Sequence, residues 1–107
     1  DNEYLGMVRQ WQEAFYSSRE SGVDMSDNPD FAKLAEVYGA AGVRIDSREQ
    51  LSNGIAQALA VTDRPCVIHV KVGKTDNVYP FIPPGAPYTA MQTGPSNTPL
   101  EAPTGST

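Results

Sequence analysis

The sequence predicts an α/β fold with parallel strands. Three features carry that expectation. Apolar residues recur at helical spacing in three separate segments. The run Cys66-Val67-Ile68-His69-Val70-Lys71-Val72 is β-branched and nearly continuous, as parallel strands buried on both faces tend to be. It is separated from a shorter strand, Val43-Arg44-Ile45, by a helical segment with short links, which calls for a parallel, right-handed crossover. The order is helix, helix, strand, helix, strand. Two strands cannot cover three amphipathic helices, so the sequence expects more sheet upstream of Asp1.

The first helix is expected over residues 5–18, with Met7, Val8, Trp11, Ala14 and Phe15 on one stripe and Tyr4 and Leu5 packed beneath its start. A Ser-rich loop follows, with Met25 as its apolar anchor. Asn28 is the expected N-cap of the second helix, with Pro29 at the first helical position and Asp30 favouring the positive end. Its stripe is Phe31, Leu34, Ala35 and Tyr38, and Gly39 stops it. Ser47-Arg48-Glu49-Gln50 reads as a capping box for a third helix, with the stripe Leu51, Ile55, Ala58 and Leu59. Gly54 inside that helix costs roughly 1 kcal/mol relative to Ala, which a close backbone neighbour would explain. After Gly73 a Pro-rich arm over residues 77–91 carries Tyr79, Phe81, Ile82, Tyr88 and Met91 and is expected to be docked. Residues 92–107 are expected to form a disordered tail, because only Leu100 and Ala102 there could be buried.

A length of 107 residues allows one domain at most. The net charge of −5 argues against a nucleic-acid partner, and no apolar run approaches a membrane span. The single cysteine, Cys66, excludes an internal disulfide and fits a reducing compartment; it reads as a small buried hydrophobe. His69 is the only histidine, and no nucleophile or metal partner is spaced near it, so it reads as structural. Glu3, Glu13, Glu20, Asp24, Asp27 and Asp30 read as a solvated face.

Asn2 lies where a strand would end and a helix begin, the place where open α/β sheets collect ligands and a helix start presents N–H groups to phosphate. Its amide oxygen and a turn carbonyl are hard donors suited to Mg²⁺. From the residues alone, an Asn before a helix is more often an N-cap than a metal ligand, and Trp11, Phe15, Met7 and Val8 at helical spacing are by default core.

Asp1-Asn2-Glu3-Tyr4-Leu5-Gly6-Met7-Val8-Arg9-Gln10-Trp11-Gln12, followed by Phe15-Tyr16, resembles the end of the cofactor motif of acetolactate synthase large catalytic subunits. Ser26-Asp27-Asn28-Pro29-Asp30-Phe31, Lys33-Leu34-Ala35, Asn77-Val78-Tyr79-Pro80 and Ile82-Pro83-Pro84-Gly85-Ala86 match in order and spacing. The resemblance covers residues 1–91. It implies the C-terminal half of a parallel-sheet, Rossmann-like thiamine-diphosphate-binding domain, including a closing arm over residues 77–91. It implies that the Asn2 side chain and the Tyr4 backbone carbonyl bind Mg²⁺ and that Gly6 and Met7 lie against thiamine diphosphate. Trp11, Val8 and Phe15 would border the substrate pocket, and Pro84 and Gly85 would belong to the arm that closes it.

The implied reaction condenses pyruvate with pyruvate or 2-oxobutyrate in branched-chain amino-acid synthesis. The implied partners are the rest of the catalytic subunit, a homodimer or tetramer of such subunits, and a regulatory small subunit. FAD in this family binds outside the segment. The compartment would be the bacterial cytoplasm, or a plastid or mitochondrion. No Gly-Asp-Gly occurs in the chain, so the family's carboxylate ligand to the metal is missing, and the isolated chain is expected to be inactive. Two other readings stand beside this one: another carboligase or decarboxylase of the same cofactor family, such as glyoxylate carboligase, and a non-catalytic α/β interaction module.

Overall fold

The computed structural model describes residues 1–95. It contains α1 (Gly6–Phe15), α2 (Phe31–Val37), β1 (Ala41–Ile45), α3 (Leu51–Leu59) and β2 (Cys66–Val70), with 3₁₀ turns at Arg48–Gln50 and Tyr88–Ala90. This is the order and the α/β class the sequence predicts. The chain divides into two compact units, one of residues 1–3 and 25–74, the other of residues 4–24 and 75 onward.

In the first unit β1 and β2 pair in parallel, in a register running from Ala41 opposite Cys66 to Ile45 opposite Val70. Side chains alternate along a strand. Gly42 lies against Ala32 of α2, and Arg44 reaches Asp30 at the start of the same helix. Val43 and Ile45 lie against Gly54 of α3. The two helices therefore cover opposite faces of the strand pair. The buried residues are small or few: Ala32, Ala35, Ile45, Gly54, Ala58 and His69. Beyond Val70, Asp1 donates to the Val70 carbonyl at 2.8 Å and accepts from the Val72 amide at 3.1 Å, while the Lys71 amide bonds Ile45. Alternation thus places Asp1 on the edge of β2 away from β1.

Several local expectations are corrected. The cap of α2 is Asp30, not Asn28: its Oδ1 accepts from the amides of Ala32 at 3.0 Å and Lys33 at 3.2 Å. The helix begins at Phe31, directly after Asp30, and the other Asp30 oxygen accepts from Arg44 at 2.8 Å, tying the helix start to β1. The buried stripe of α2 is Ala32 and Ala35, whereas Leu34 and Tyr38 are exposed. Gly39 does end the helix region, in the left-handed conformation at φ 81°. Ser47 makes no side-chain cap bond; Gln50 instead accepts from the Asp46 amide at 2.8 Å, and a 3₁₀ turn intervenes before α3. Gly54 is crowded by the Ile45 side chain rather than by backbone. Val67 and Ile68 of β2 are exposed and Cys66 is half-buried, so the strand is not covered on both faces within the described residues.

In the second unit, α1 is shorter than the periodicity suggests, and its buried residues are Arg9, Gln10 and Phe15. The loop after it turns through Ser17 and Ser18 at φ 53° and 55° and is anchored by Val23, which is 1% exposed, rather than by Met25. The Leu5 amide bonds the Val23 carbonyl at 2.9 Å. Leu5 itself is exposed. The arm is docked, as expected. The Gln10 carboxamide donates to the Val78 carbonyl at 3.0 Å and accepts from the Val78 amide at 2.8 Å. Arg9 donates to Asn77 and, at 2.9 Å, to Glu13. Phe81 meets the Phe15 ring edge-on at 6.4 Å and bridges Gln92 through two backbone bonds. Gln92, the first residue of the expected tail, is thus paired with the arm; residues 96–107, most of that tail, lie outside the described residues.

Candidate functional site

The Asp1-Asn2-Glu3 turn belongs to the first unit. Asp1 Oδ1 accepts from the Glu3 amide at 3.0 Å, an Asx turn with Asn2 at its centre, and Glu3 takes φ 58°. Asp1 Oδ2 meets His69 Nε2 at 2.7 Å and Lys71 Nζ at 2.8 Å. Lys71 also reaches Glu3 at 2.6 Å, and Lys74 pairs with the other Glu3 oxygen. Glu3 is therefore not a solvated charge. The hydrogen bond from Lys71, with Lys74 beside it, holds its carboxyl down at about 2 against an ordinary 4.5.

Both carboxylates flanking Asn2 are committed to cations. Among the described residues no group of three His, Cys, Asp or Glu side chains could hold a metal. What the turn can present to a metal is neutral oxygen. That donor chemistry fits Mg²⁺ that keeps phosphate oxygens and waters in its shell, and it does not fit a metal caged by protein alone.

Asp30 lies across the His69 ring from Asp1 in the same unit. The Lys33 amide, followed by the Arg44 guanidinium, brings its carboxyl to about 2 from an ordinary 3.8. A depressed carboxylate contributes stability above its unfolded value, and that contribution is lost as pH falls through the folded value. Stability should therefore decline from about pH 4 toward about pH 2. Asp30→Asn, which can still cap the helix, should flatten the decline in a urea-midpoint series; an unchanged slope would show that Asp30 does not contribute to it.

In the second unit α1 carries an unusual division of labour. Its polar Arg9 and Gln10 are buried, while Met7 and Val8 are half exposed and Trp11 is partly open. Met7, Val8, Trp11, Gln12 and Tyr16 line a groove of about 390 Å³. Phe15 is buried and does not line it; its ring lies 5.3 Å from Trp11 and backs that side chain. Gln12 fixes the groove's rim, donating to the Ser21 carbonyl at 3.0 Å and accepting from its amide at 3.1 Å. Gly6 is the first residue of α1. Pro84 and Gly85 are exposed in a turn with Gly85 at φ 77°. The helical stripe put Met7, Val8 and Trp11 on one face, while the resemblance assigned Met7 to the cofactor and Val8 and Trp11 to the substrate pocket; neither pointed to Gln12, Tyr16 or the bonding of Gln10.

Residues 1–70 match the family described as thiamine pyrophosphate enzyme, C-terminal TPP binding domain. The chain belongs to this family. The TPP-binding domain it represents is similar to the large subunit of acetolactate synthase isozyme 2 of Escherichia coli K12, at 41% identity over 91 residues, 85% of this chain and 16% of that protein. It is similar to the acetolactate synthase large subunit of Parasynechococcus marenigrum WH8102, at 44% over 98 residues, 91% of this chain and 16% of that protein. A third relative is the acetolactate synthase of Mycobacterium leprae, at 42% over 96 residues, 86% of this chain and 15% of that protein. The chain thus spans less than a fifth of the length of these relatives. Among the described residues no helix is long and apolar enough to cross a membrane.

Proposed function

We propose that this TPP-binding domain serves an acetolactate synthase, in which it holds part of the Mg²⁺–diphosphate site and one wall of the 2-keto acid pocket. The observation that carries the reading is the open apolar groove on α1, presented by the helix that follows the Asn2 turn in sequence. Its volume lies in the range of small-molecule sites. The family match supports the cofactor, and the named relatives support the reaction class.

When bound, thiamine diphosphate supplies the carbanion chemistry that joins two 2-keto acids, here pyruvate with pyruvate or 2-oxobutyrate. The chain's own residues position and shield. The Asn2 side chain and the Tyr4 carbonyl hold Mg²⁺, and Gly6, lacking a Cβ, lets the start of α1 approach the cofactor, with Met7 against it. Trp11 and Val8 form the apolar wall that excludes water from the keto acid, and Phe15 keeps the Trp11 ring in place from behind. A wall of this kind separates substrates differing by one methylene by about 1–3 kcal/mol, a preference and not an exclusion. The arm with Pro84 and Gly85 closes over the entrance. The remaining parts of the reading are a catalytic subunit that assembles as a dimer or tetramer, a regulatory small subunit, FAD held outside these residues, and a place in branched-chain amino-acid synthesis.

Asn2→Ala in the protein carrying this chain should raise the Mg²⁺ concentration needed for half-maximal turnover by about tenfold or more, since even groups behind metal ligands are worth ten- to a hundredfold. An unchanged Mg²⁺ dependence would remove Asn2 from the metal site.

A further inference from the structure

We infer that His69 is a positioning residue for the metal site: through Asp1 it fixes the turn that presents Asn2. The inference rests on the metal role proposed for Asn2 and adds a residue 68 positions from Asp1 in sequence. His69 is 4% exposed, lies on β2, and meets the Phe31 ring edge-on at 5.3 Å, so its ring cannot swing. Among the described residues its hydrogen bond goes to Asp1 Oδ2 at 2.7 Å. The other ring nitrogen is buried with no hydrogen-bond partner, 3.6 Å from Asp30. The ring thus lies between two carboxylates, and the short contact is the one to Asp1.

The contact is transmitted directly. Asp1 has two oxygens: one is held by His69 and Lys71, the other accepts the Glu3 amide and closes the turn around Asn2. Fixing the first oxygen fixes the plane of the carboxylate, and hence the direction from which the Glu3 amide must approach. Asn2 lies between these two anchors along the chain, so its backbone has little freedom left. Lys71 cannot substitute for the ring: it is partly exposed and shared with Glu3, and an ammonium sets no plane.

The test is titration of Mn²⁺, followed by electron paramagnetic resonance in the presence of saturating thiamine diphosphate, on the protein carrying this chain. His69→Leu and Asp1→Ala should weaken Mn²⁺ binding by about ten- to a hundredfold, the range seen when a partner behind a metal ligand is removed. Asp1→Asn keeps an acceptor for the Glu3 amide but sets an NH2 group against Lys71, and should fall between wild type and Asp1→Ala. His69→Gln, which retains a donor toward Asp1, should recover part of the loss and guards against a leucine variant that fails to fold. A lower melting temperature for His69→Leu with unchanged Mn²⁺ affinity would overturn the inference and leave His69 as core. If Asn2→Ala also binds Mn²⁺ as wild type does, the proposed metal role of Asn2 falls, and the inference with it.

Discussion

Gly42→Ala should destabilise this domain by about 3 kcal/mol or more, the upper range for overpacking. A Cβ at Gly42 would sit 2.2 Å from the Ala32 carbonyl oxygen and 2.7 Å from its carbon. Both are backbone atoms of α2, so the clash cannot be relieved by a rotamer change. Either α2 lifts from β1, or the helix loses its first turn. Gly54→Ala provides the comparison. There the new Cβ would meet Ile45 Cγ1 at 2.6 Å and Cδ1 at 2.8 Å, a side chain that can shift, and the helix gains roughly 1 kcal/mol of propensity in return. Urea midpoints should rank Gly42→Ala far below Gly54→Ala. Equal midpoints would mean that α2 does not rest on β1 as described.

Gln10→Ala should release the arm from α1. The Gln10 carboxamide supplies both the acceptor and the donor that Val78 needs, as a neighbouring strand would, and it does so while 3% exposed. Two such bonds at about 1 kcal/mol each correspond to roughly thirtyfold faster hydrogen exchange at the Val78 amide. Gln10→Glu should be at least as disruptive, because a carboxylate cannot donate to the Val78 carbonyl and would face it with like polarity. Exchange mass spectrometry of the peptide over residues 77–91 reads the effect. Unchanged protection in both variants would mean that Asn77 and Phe81 alone hold the arm.

These two residues also mark where sequence reasoning reached its limit. Periodicity and turn chemistry are local. They found the helix–helix–strand–helix–strand order, the parallel pair, the stop at Gly39, and the cluster of Met7, Val8 and Trp11. The contacts that organise both units join residues far apart. His69 with Asp1, Arg9 with Asn77 and Gln10 with Val78 are each 68 positions apart. No spacing rule reaches that distance, so His69 read as structural with no metal or nucleophile partner near it, and Gln10 carried no structural assignment.

Burial was misread for a related reason. Ala35 and Ala58 are buried as the stripes of α2 and α3 expected, but their buried neighbours are Ala32 and Gly54 rather than the larger stripe residues, and Tyr38 and Leu59 are exposed at 83% and 76%. Small residues let both helices approach the strand pair closely, which leaves the larger ones outside. Of the residues implied by resemblance, Gly6, Met7, Val8, Trp11 and Phe15 lie on α1, and Asn2, Tyr4, Pro84 and Gly85 lie outside it. The bonds that hold them, Gln12 to Ser21 and Phe15 behind Trp11, required coordinates.

The central claim, that this TPP-binding domain serves the condensation of two 2-keto acids, is tested most directly by identifying the product formed from pyruvate by the protein carrying this chain. The account predicts acetolactate, formed only when both thiamine diphosphate and Mg²⁺ are present. Acetaldehyde without carbon–carbon bond formation, or turnover of glyoxylate in place of pyruvate, would contradict it.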